Sequence, residues 1–199
     1  MMLLSLFILK TMVVVVQYGR VPWEIFSIDD AIRDDVLDEF IRFVGSRSAK
    51  SRSFAHEVSF VNGKELYPLV SETIWKALKP YVPDDVCKGP VDHVMYAVVD
   101  TGQGFPFHVD AGCVYDTCRN IFSGYTVLVY LTDDFEGGSL NFYDDDGNRI
   151  ANVTTNVQGR IVCFDIGLYH AGAIVTRGTK TWLGTELLIS RTEAQPCLP

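Results

Sequence analysis

Two histidines and an aspartate are the residues of this chain whose types and spacing could hold a metal ion. In the stretch Tyr96 to Asp110, YAVVDTGQGFPFHVD, His108 and Asp110 stand two positions apart, and alternate side chains of a β-strand share a face. One imidazole nitrogen and one carboxylate oxygen would then point at the same ion. A third donor is expected from His170 in GLYHAG, which follows the apolar run IVCFDI and so falls at a strand end. Two imidazoles and one carboxylate on one face leave the opposite coordination positions open, a geometry suited to ferrous iron that must also admit dioxygen.

The elements that must position these residues can be read from hydrophobic period and turn signals. From Val91 onward the texture is strand: Val91 to Val99, Tyr125 to Leu131, Ser139 to Tyr143, Arg160 to Ile166 and Thr181 to Ile189 are short apolar or alternating runs between turn signals. Asp146-Gly147 marks a hairpin, and the acidic run Asp144-Asp145-Asp146 reads as its solvated tip, since the spacing lacks the closing glutamate of a calcium loop. Upstream, Ser27 with Asp30 suggests a capping box, and Ile32, Val36, Phe40, Ile41 and Val44 recur at helical spacing until Gly45. Gly45 to Ser53, GSRSAKSRS, reads as a polar, basic loop, and Asn62-Gly63 as a turn. A second helix opens near Pro68 and closes before Pro80, with Leu69, Ile74, Trp75 and Leu78 available for burial. Helices followed by a run of short strands predict a mainly β sandwich with helical support on one side.

Composition narrows the function classes. The 199 residues are 48% hydrophobic and 21% charged, enough to bury one substantial core, so a single domain over 1–199 is expected. A net charge of -8 excludes a dedicated nucleic-acid binder, whose footprint is basic. Small anions remain admissible where a local cation waits inside a pocket. Five cysteines at irregular spacing predict reduced thiols rather than a disulfide framework, with Cys113 and Cys118 close enough to raise a redox alternative. The amino-terminal run MMLLSLFILKTMVVVV is interrupted by Lys10 and shorter than the roughly 20 residues of a membrane span. It lacks the basic start and small-residue cleavage site of a secretory signal. The expectation is a strand over Val13 to Val16 after an apolar leader, no membrane span, and a cytoplasmic rather than secretory compartment.

Taken in order, GQGFPFHVD, TVLVYLTDDFEGGSLNFYD and GRIVCFDIGLYHAGAIVTRGTK resemble the Fe(II)/2-oxoglutarate dioxygenases, and within them the prolyl 4-hydroxylase-like group. The resemblance covers about Val91 to Ile189. It implies a double-stranded β-helix, a cupin-like jelly roll, with residues 91–190 as its core and 1–90 supplying a strand and supporting helices. It implies His108, Asp110 and His170 as ligands of Fe(2+), Lys180 as the partner of the distal carboxylate of 2-oxoglutarate, and Thr126 as a hydroxyl assisting the same carboxylate. Arg177 is a rival for the Lys180 role, set aside because it precedes Gly178 in what reads as an exposed turn. Two positions depart from the pattern. The group's tyrosine three residues before Gly-Gln is Val99 here, with Tyr96 the nearest substitute, and its arginine in the final strand is Gly184, followed by Thr185 and Glu186.

The activity so implied is hydroxylation of an unactivated C–H bond with release of succinate and CO2. O2 and 2-oxoglutarate are consumed, and ascorbate would be an accessory reductant. Peptidyl proline is the leading substrate. A free small molecule on the same scaffold is the alternative, and a metal-binding jelly roll serving as a sensor or interaction module is the reading from a different class. No nucleic-acid partner is expected.

Overall fold

The structure, a computed structural model, describes residues 11–18, 21–46, 50–53, 56–62, 72–82, 84–87, 93–117 and 120–190. The apolar leader, Gly63, Pro68, Leu69, Cys118 and Cys197 lie outside these residues. The chain opens with a hairpin of β1 (Thr11–Tyr18) and β2 (Val21–Ile28), then α1 (Asp34–Ser46), β3 (Lys50–Ser53), β4 (His56–Asn62), a short helix α2 over residues 72–78, and β5 (Val86–Cys87). The strand-rich half follows as β6 (His93–Asp100), β7 (Phe105–His108), β8 (Val114–Asp116), β9 (Ile121–Tyr130), β10 (Glu136–Gly137) and β11 (Leu140–Tyr143). It closes with β12 (Arg149–Val153), β13 (Ile161–Asp165), β14 (Tyr169–Gly172), β15 (Val175–Arg177) and β16 (Thr179–Ser190).

These strands build a jelly roll from two main antiparallel sheets, with β10 and β15 pairing as a separate two-stranded sheet. The larger runs β1-β2-β13-β9-β16-β6-β4-β3, with β5 paired to β16 and β8 to β9; the smaller runs β12-β11-β14-β7. Alternation in the central strands sends one set of side chains to each face. Val127 and Val129 of β9 with Leu183 and Leu187 of β16 meet Leu37, Phe40, Ile74 and Leu78 of the two helices. Leu128 and Tyr130 of β9, Phe164 of β13 and Trp182 of β16 turn the other way and pack on Leu140 and Phe142 of the smaller sheet. The second face is the interior of the roll, and the functional residues lie on it.

Two local expectations are corrected. Ser27 does not cap a helix: it lies in β2, paired with Val162 of β13, because the sequence VPWEIFSI is rich in residues that suit a pleated surface. The helix starts later, at Asp34, where the Arg33 carbonyl accepts the Val36 and Leu37 amides, and Asp34 and Asp35 favour the positive end of the helix dipole. Likewise Lys50–Ser53 is not a loop but β3, at the edge of the larger sheet against β4. Cationic residue types such as Lys50 and Arg52 suit an edge strand, since they discourage pairing with another chain.

Candidate metal centre

His108 and His170 are brought together by strand register. They lie directly opposite each other across the β7–β14 pair, with ring centroids 4.2 Å apart. Each imidazole places Nδ1 beside a backbone carbonyl, His108 at 2.7 Å from the Pro106 oxygen and His170 at 2.9 Å from that of Leu168. A ring nitrogen facing a carbonyl carries the proton and donates it, so both rings present the lone pair of Nε2 to the interior. Asp110 completes the group from just beyond the end of β7, rather than within the strand. Its Oδ1 is 3.5 Å from His108 Nε2 and its Oδ2 is 3.7 Å from His170 Nε2, and the three donor atoms lie within 4.8 Å of one another. That spacing is slightly wider than the roughly 3 Å between neighbouring donors around an ion with bonds of about 2.0–2.2 Å.

The electrostatics favour a cation at this point. Burial alone would raise the Asp110 pKa, but His108, the charge of His170 and the Thr126 hydroxyl outweigh it and hold the carboxyl below its usual value. The Asp110 carboxylate is the main influence raising His108, against the effect of burial. His170 is pushed down, chiefly by burial between Phe142 and Phe164. A deprotonated acid and a neutral imidazole are the states in which these groups ligate a metal.

Lys180 lies on the same interior face, 4% exposed. Its Nζ donates to the Gly138 carbonyl at 2.5 Å and lies 5.0 Å above the Tyr130 ring. Among the described residues no carboxylate pairs with it, and burial pushes its pKa down to about 7. Gly138 has φ +64°, and a Cβ there would meet the Lys180 Cδ at 3.2 Å. The glycine pair thus lets the lysine chain pass and offers it a carbonyl. Arg177, the rival cation, is exposed and paired with Glu136 at 2.7 Å.

Thr126 does not stand beside Lys180. Its hydroxyl donates to Asp110 Oδ2 at 2.6 Å, because four residues of β9 separate it from Tyr130, a span of about 13 Å at the usual strand rise. Nor does Tyr96 replace the hydroxyl absent at Val99: it packs on the helix-side cluster, on the opposite face of β6. The residue that the sequence reading missed is Tyr130. It is fully buried, and among the described residues its hydroxyl has no hydrogen-bond partner. The available signal was position: in TVLVYL, Tyr130 is four residues from Thr126 and therefore on the same face.

Lys180 and Tyr130 provide the test of whether a dianionic cosubstrate fits. An uncompensated ammonium and an orphaned phenol side by side are costly in a dry interior. One carboxylate would satisfy both, accepting from each.

Comparison with known proteins agrees with this geometry. Residues 94–185 match the sequence model of the 2OG-Fe(II) oxygenase superfamily. No curated protein sequence matches the chain. Among solved structures, the viral collagen prolyl hydroxylase of Paramecium Bursaria Chlorella virus-1 superposes with a TM-score of 0.58 at 21% identity, covering 83% of this chain and 96% of that one. A Pseudomonas putida prolyl-4-hydroxylase gives 0.57 at 16% identity over 84% and 92%. A Trichoplax adhaerens prolyl hydroxylase, solved with a peptide fragment of the hypoxia inducible factor oxygen degradation domain, gives 0.56 at 13% identity, covering 83% of each chain. The jelly roll, the matched segment and the His-Asp-His group within it agree with one another: over residues 94–185 the chain is similar to the 2OG-Fe(II) oxygenase superfamily, and its fold is that of the solved prolyl hydroxylases.

Proposed function

We propose that the chain hydroxylates a peptidyl residue, proline foremost, with His108, Asp110 and His170 as the iron ligands and Lys180 and Tyr130 as the partners of the distal carboxylate of 2-oxoglutarate. The observation that carries this assignment is the convergence of two Nε2 atoms and a carboxylate on the interior face that also buries Lys180, with which no carboxylate among the described residues pairs. When bound, ferrous iron and 2-oxoglutarate supply the activation of dioxygen and the oxidation of a C–H bond, with release of succinate and CO2. The protein groups orient and hold. The Pro106 and Leu168 carbonyls fix the two imidazoles in their ligating tautomer. The Thr126 hydroxyl fixes the Asp110 carboxylate. The Lys180 ammonium neutralises one end of the cosubstrate beside Trp182, and Phe142 and Phe164 keep water from His170 at the other. The peptide assignment rests on likeness to prolyl hydroxylases, one of them solved with a peptide.

The test is a mass-spectrometric screen of peptide and metabolite pools for a gain of one oxygen that depends on Fe(II) and 2-oxoglutarate. Hydroxyproline in peptides is the expected product, and oxygen appearing only in free metabolites would transfer the chemistry to a small molecule. His108→Ala should lower succinate formation at least about a hundredfold with little loss of stability. Activity that survives this change would remove His108 from the ligand set.

A further inference from the structure

Alternate residues of β16 face the interior of the roll: Lys180, Trp182, Gly184 and Glu186. Lys180 marks one end of this column. Glu186 marks the other, directly opposite Thr126 in the β9–β16 register. Opposed residues of an antiparallel pair share a face, with Cα atoms roughly 4.5–5.5 Å apart, and Thr126 is the residue whose hydroxyl holds Asp110. Glu186 is therefore one strand spacing from Thr126, on the face that carries the metal centre, and about 20 Å along the strand from Lys180. Trp182 separates the two. A Cβ on Gly184 would meet the Trp182 Cζ3 at 2.8 Å, so the indole lies over the glycine, between the column's charged ends.

Glu186 takes no part in the metal group formed by His108, Asp110 and His170. Its partner is the buried Ser123 hydroxyl, which donates to Oε2 at 2.5 Å. Ser123 in turn accepts from the Cys113 amide at 2.9 Å, so Glu186 is moored beneath the segment that follows Asp110. No lysine, arginine or histidine among the described residues pairs with the carboxylate, and it is only partly exposed. A divalent ion offsets a dianionic cosubstrate, and Lys180 offsets Asp110, which leaves the negative charge of Glu186 without a counterpart. A half-buried carboxylate without a cationic partner is unfavourable, and Glu186 lies at the metal end of the interior, where the proposed substrate would come.

We propose that Glu186 is a specificity residue that binds the ammonium or guanidinium of a lysine or arginine next to the oxidised residue, so that the substrate is a basic peptide segment. This rests on the reading of the site as a peptidyl hydroxylase. Asp110 and Glu186 then have different roles at the same end of the roll: one faces the metal, the other the incoming chain.

The test uses the full chain loaded with Mn(II) and 2-oxoglutarate, which binds without turning over, and three fluorescent peptides: (Pro-Lys-Gly)4, (Pro-Gln-Gly)4 and (Pro-Glu-Gly)4. Anisotropy should show the lysine peptide binding about tenfold more tightly than the glutamine peptide, and the glutamate peptide most weakly. Glu186→Gln should bring the lysine and glutamine peptides to equal affinity. Glu186→Lys should invert the order in favour of the glutamate peptide, a reversal that loss of packing cannot produce. A lysine preference that persists in Glu186→Gln overturns the proposal, as does equal binding, or no binding, of all three peptides by the wild type. Succinate formation by the Fe(II) form of the wild type with the same peptides is measured in parallel. Turnover without charge selectivity removes only the role of Glu186, whereas no turnover with any peptide removes the peptidyl hydroxylase reading itself and this inference with it.

Discussion

The role proposed for Lys180 would make cosubstrate binding depend on pH, because its ammonium is useful to a dianion only while protonated and its burial moves the pKa to about 7. Below that value the free protein already carries the charge. Above it, binding 2-oxoglutarate must also take up a proton, so the apparent Kd rises roughly tenfold per pH unit until the pKa of the lysine in the complex is reached. The sign follows from the lowered pKa: affinity is highest on the acid side and lost as pH rises through 7. Titration calorimetry of the Mn(II) form between pH 6 and 9 should show this slope in the wild type, a flat profile in Lys180→Arg, and weak, flat binding in Lys180→Ala. A slope that survives in Lys180→Ala would assign the proton to another group. The residues of the site were unequally legible in the sequence. His108, Asp110 and His170 stood out because ligand types two apart, and a histidine after an apolar strand, are unusual combinations. Thr126, expected to assist the cosubstrate carboxylate, donates to Asp110, because distance along a strand decides which end of the roll a hydroxyl faces. Tyr130 was missed because a tyrosine in an apolar run looks like core until its hydroxyl is found without a partner among the described residues.

Among the elements, the β11–β12 hairpin shows how a turn distant from the chemistry sets the register of the ligand strand. Asp144 is buried, and its Oδ1 accepts from the Asp146 amide at 3.1 Å and the Asn148 amide at 2.7 Å, while Oδ2 accepts from Asn148 Nδ2 at 3.1 Å. The first residue of the acidic run is thus the internal brace of the turn, and only Asp145 and Asp146 face water. Asp144→Ala would leave those donors unmatched and should cost about 1–3 kcal/mol in urea unfolding. Asp144→Asn should cost less, since its amide oxygen still accepts. Equal losses for the two would show that packing, not hydrogen bonding, is at stake. The consequence for the site runs through β11, where Tyr143 and Phe142 lie opposite Tyr169 and His170 of β14. Elements with a strong local signal were legible: the Asp-Gly turn, and the strands of the interior whose alternation survives at both faces. Strand ends moved by a few residues, as with β16, expected from Thr181 and found from Thr179. β2 and β3 were not legible, because their identity depends on partners far away in sequence, Val162 on β13 for Ser27 and Ser59 on β4 for Lys50. A serine before an acidic stretch is ambiguous until that partner is known.

In the molecule as a whole, ligand binding should behave as a clamp between the two sheets. The metal group draws on the smaller sheet through His108 on β7 and His170 on β14, and it reaches the larger through Asp110 and the Thr126 hydroxyl on β9. Lys180 and Tyr130 both belong to the larger sheet. An ion alone would therefore tie the smaller sheet to one point of the larger, while 2-oxoglutarate held by Lys180 and Tyr130 as proposed would add a second attachment toward the far end of the interior. Binding only to the folded state at a hundredfold excess over Kd contributes about 2.7 kcal/mol. For a chain of this size, that corresponds to a rise in Tm of about 5–11 °C, at roughly 2–4 °C per kcal/mol. Scanning calorimetry with Mn(II) and 2-oxoglutarate should give a moderate rise for the ion, almost none for the keto acid alone, and more than their sum for both, because the keto acid needs the ion to span the interior. Lys180→Ala should keep the Mn(II) increment and lose the cooperative one, and His170→Ala should lose both. Strictly additive shifts, or a 2-oxoglutarate effect independent of metal, would mean that the two ligands occupy separate places and that the sheets are not joined through a shared complex.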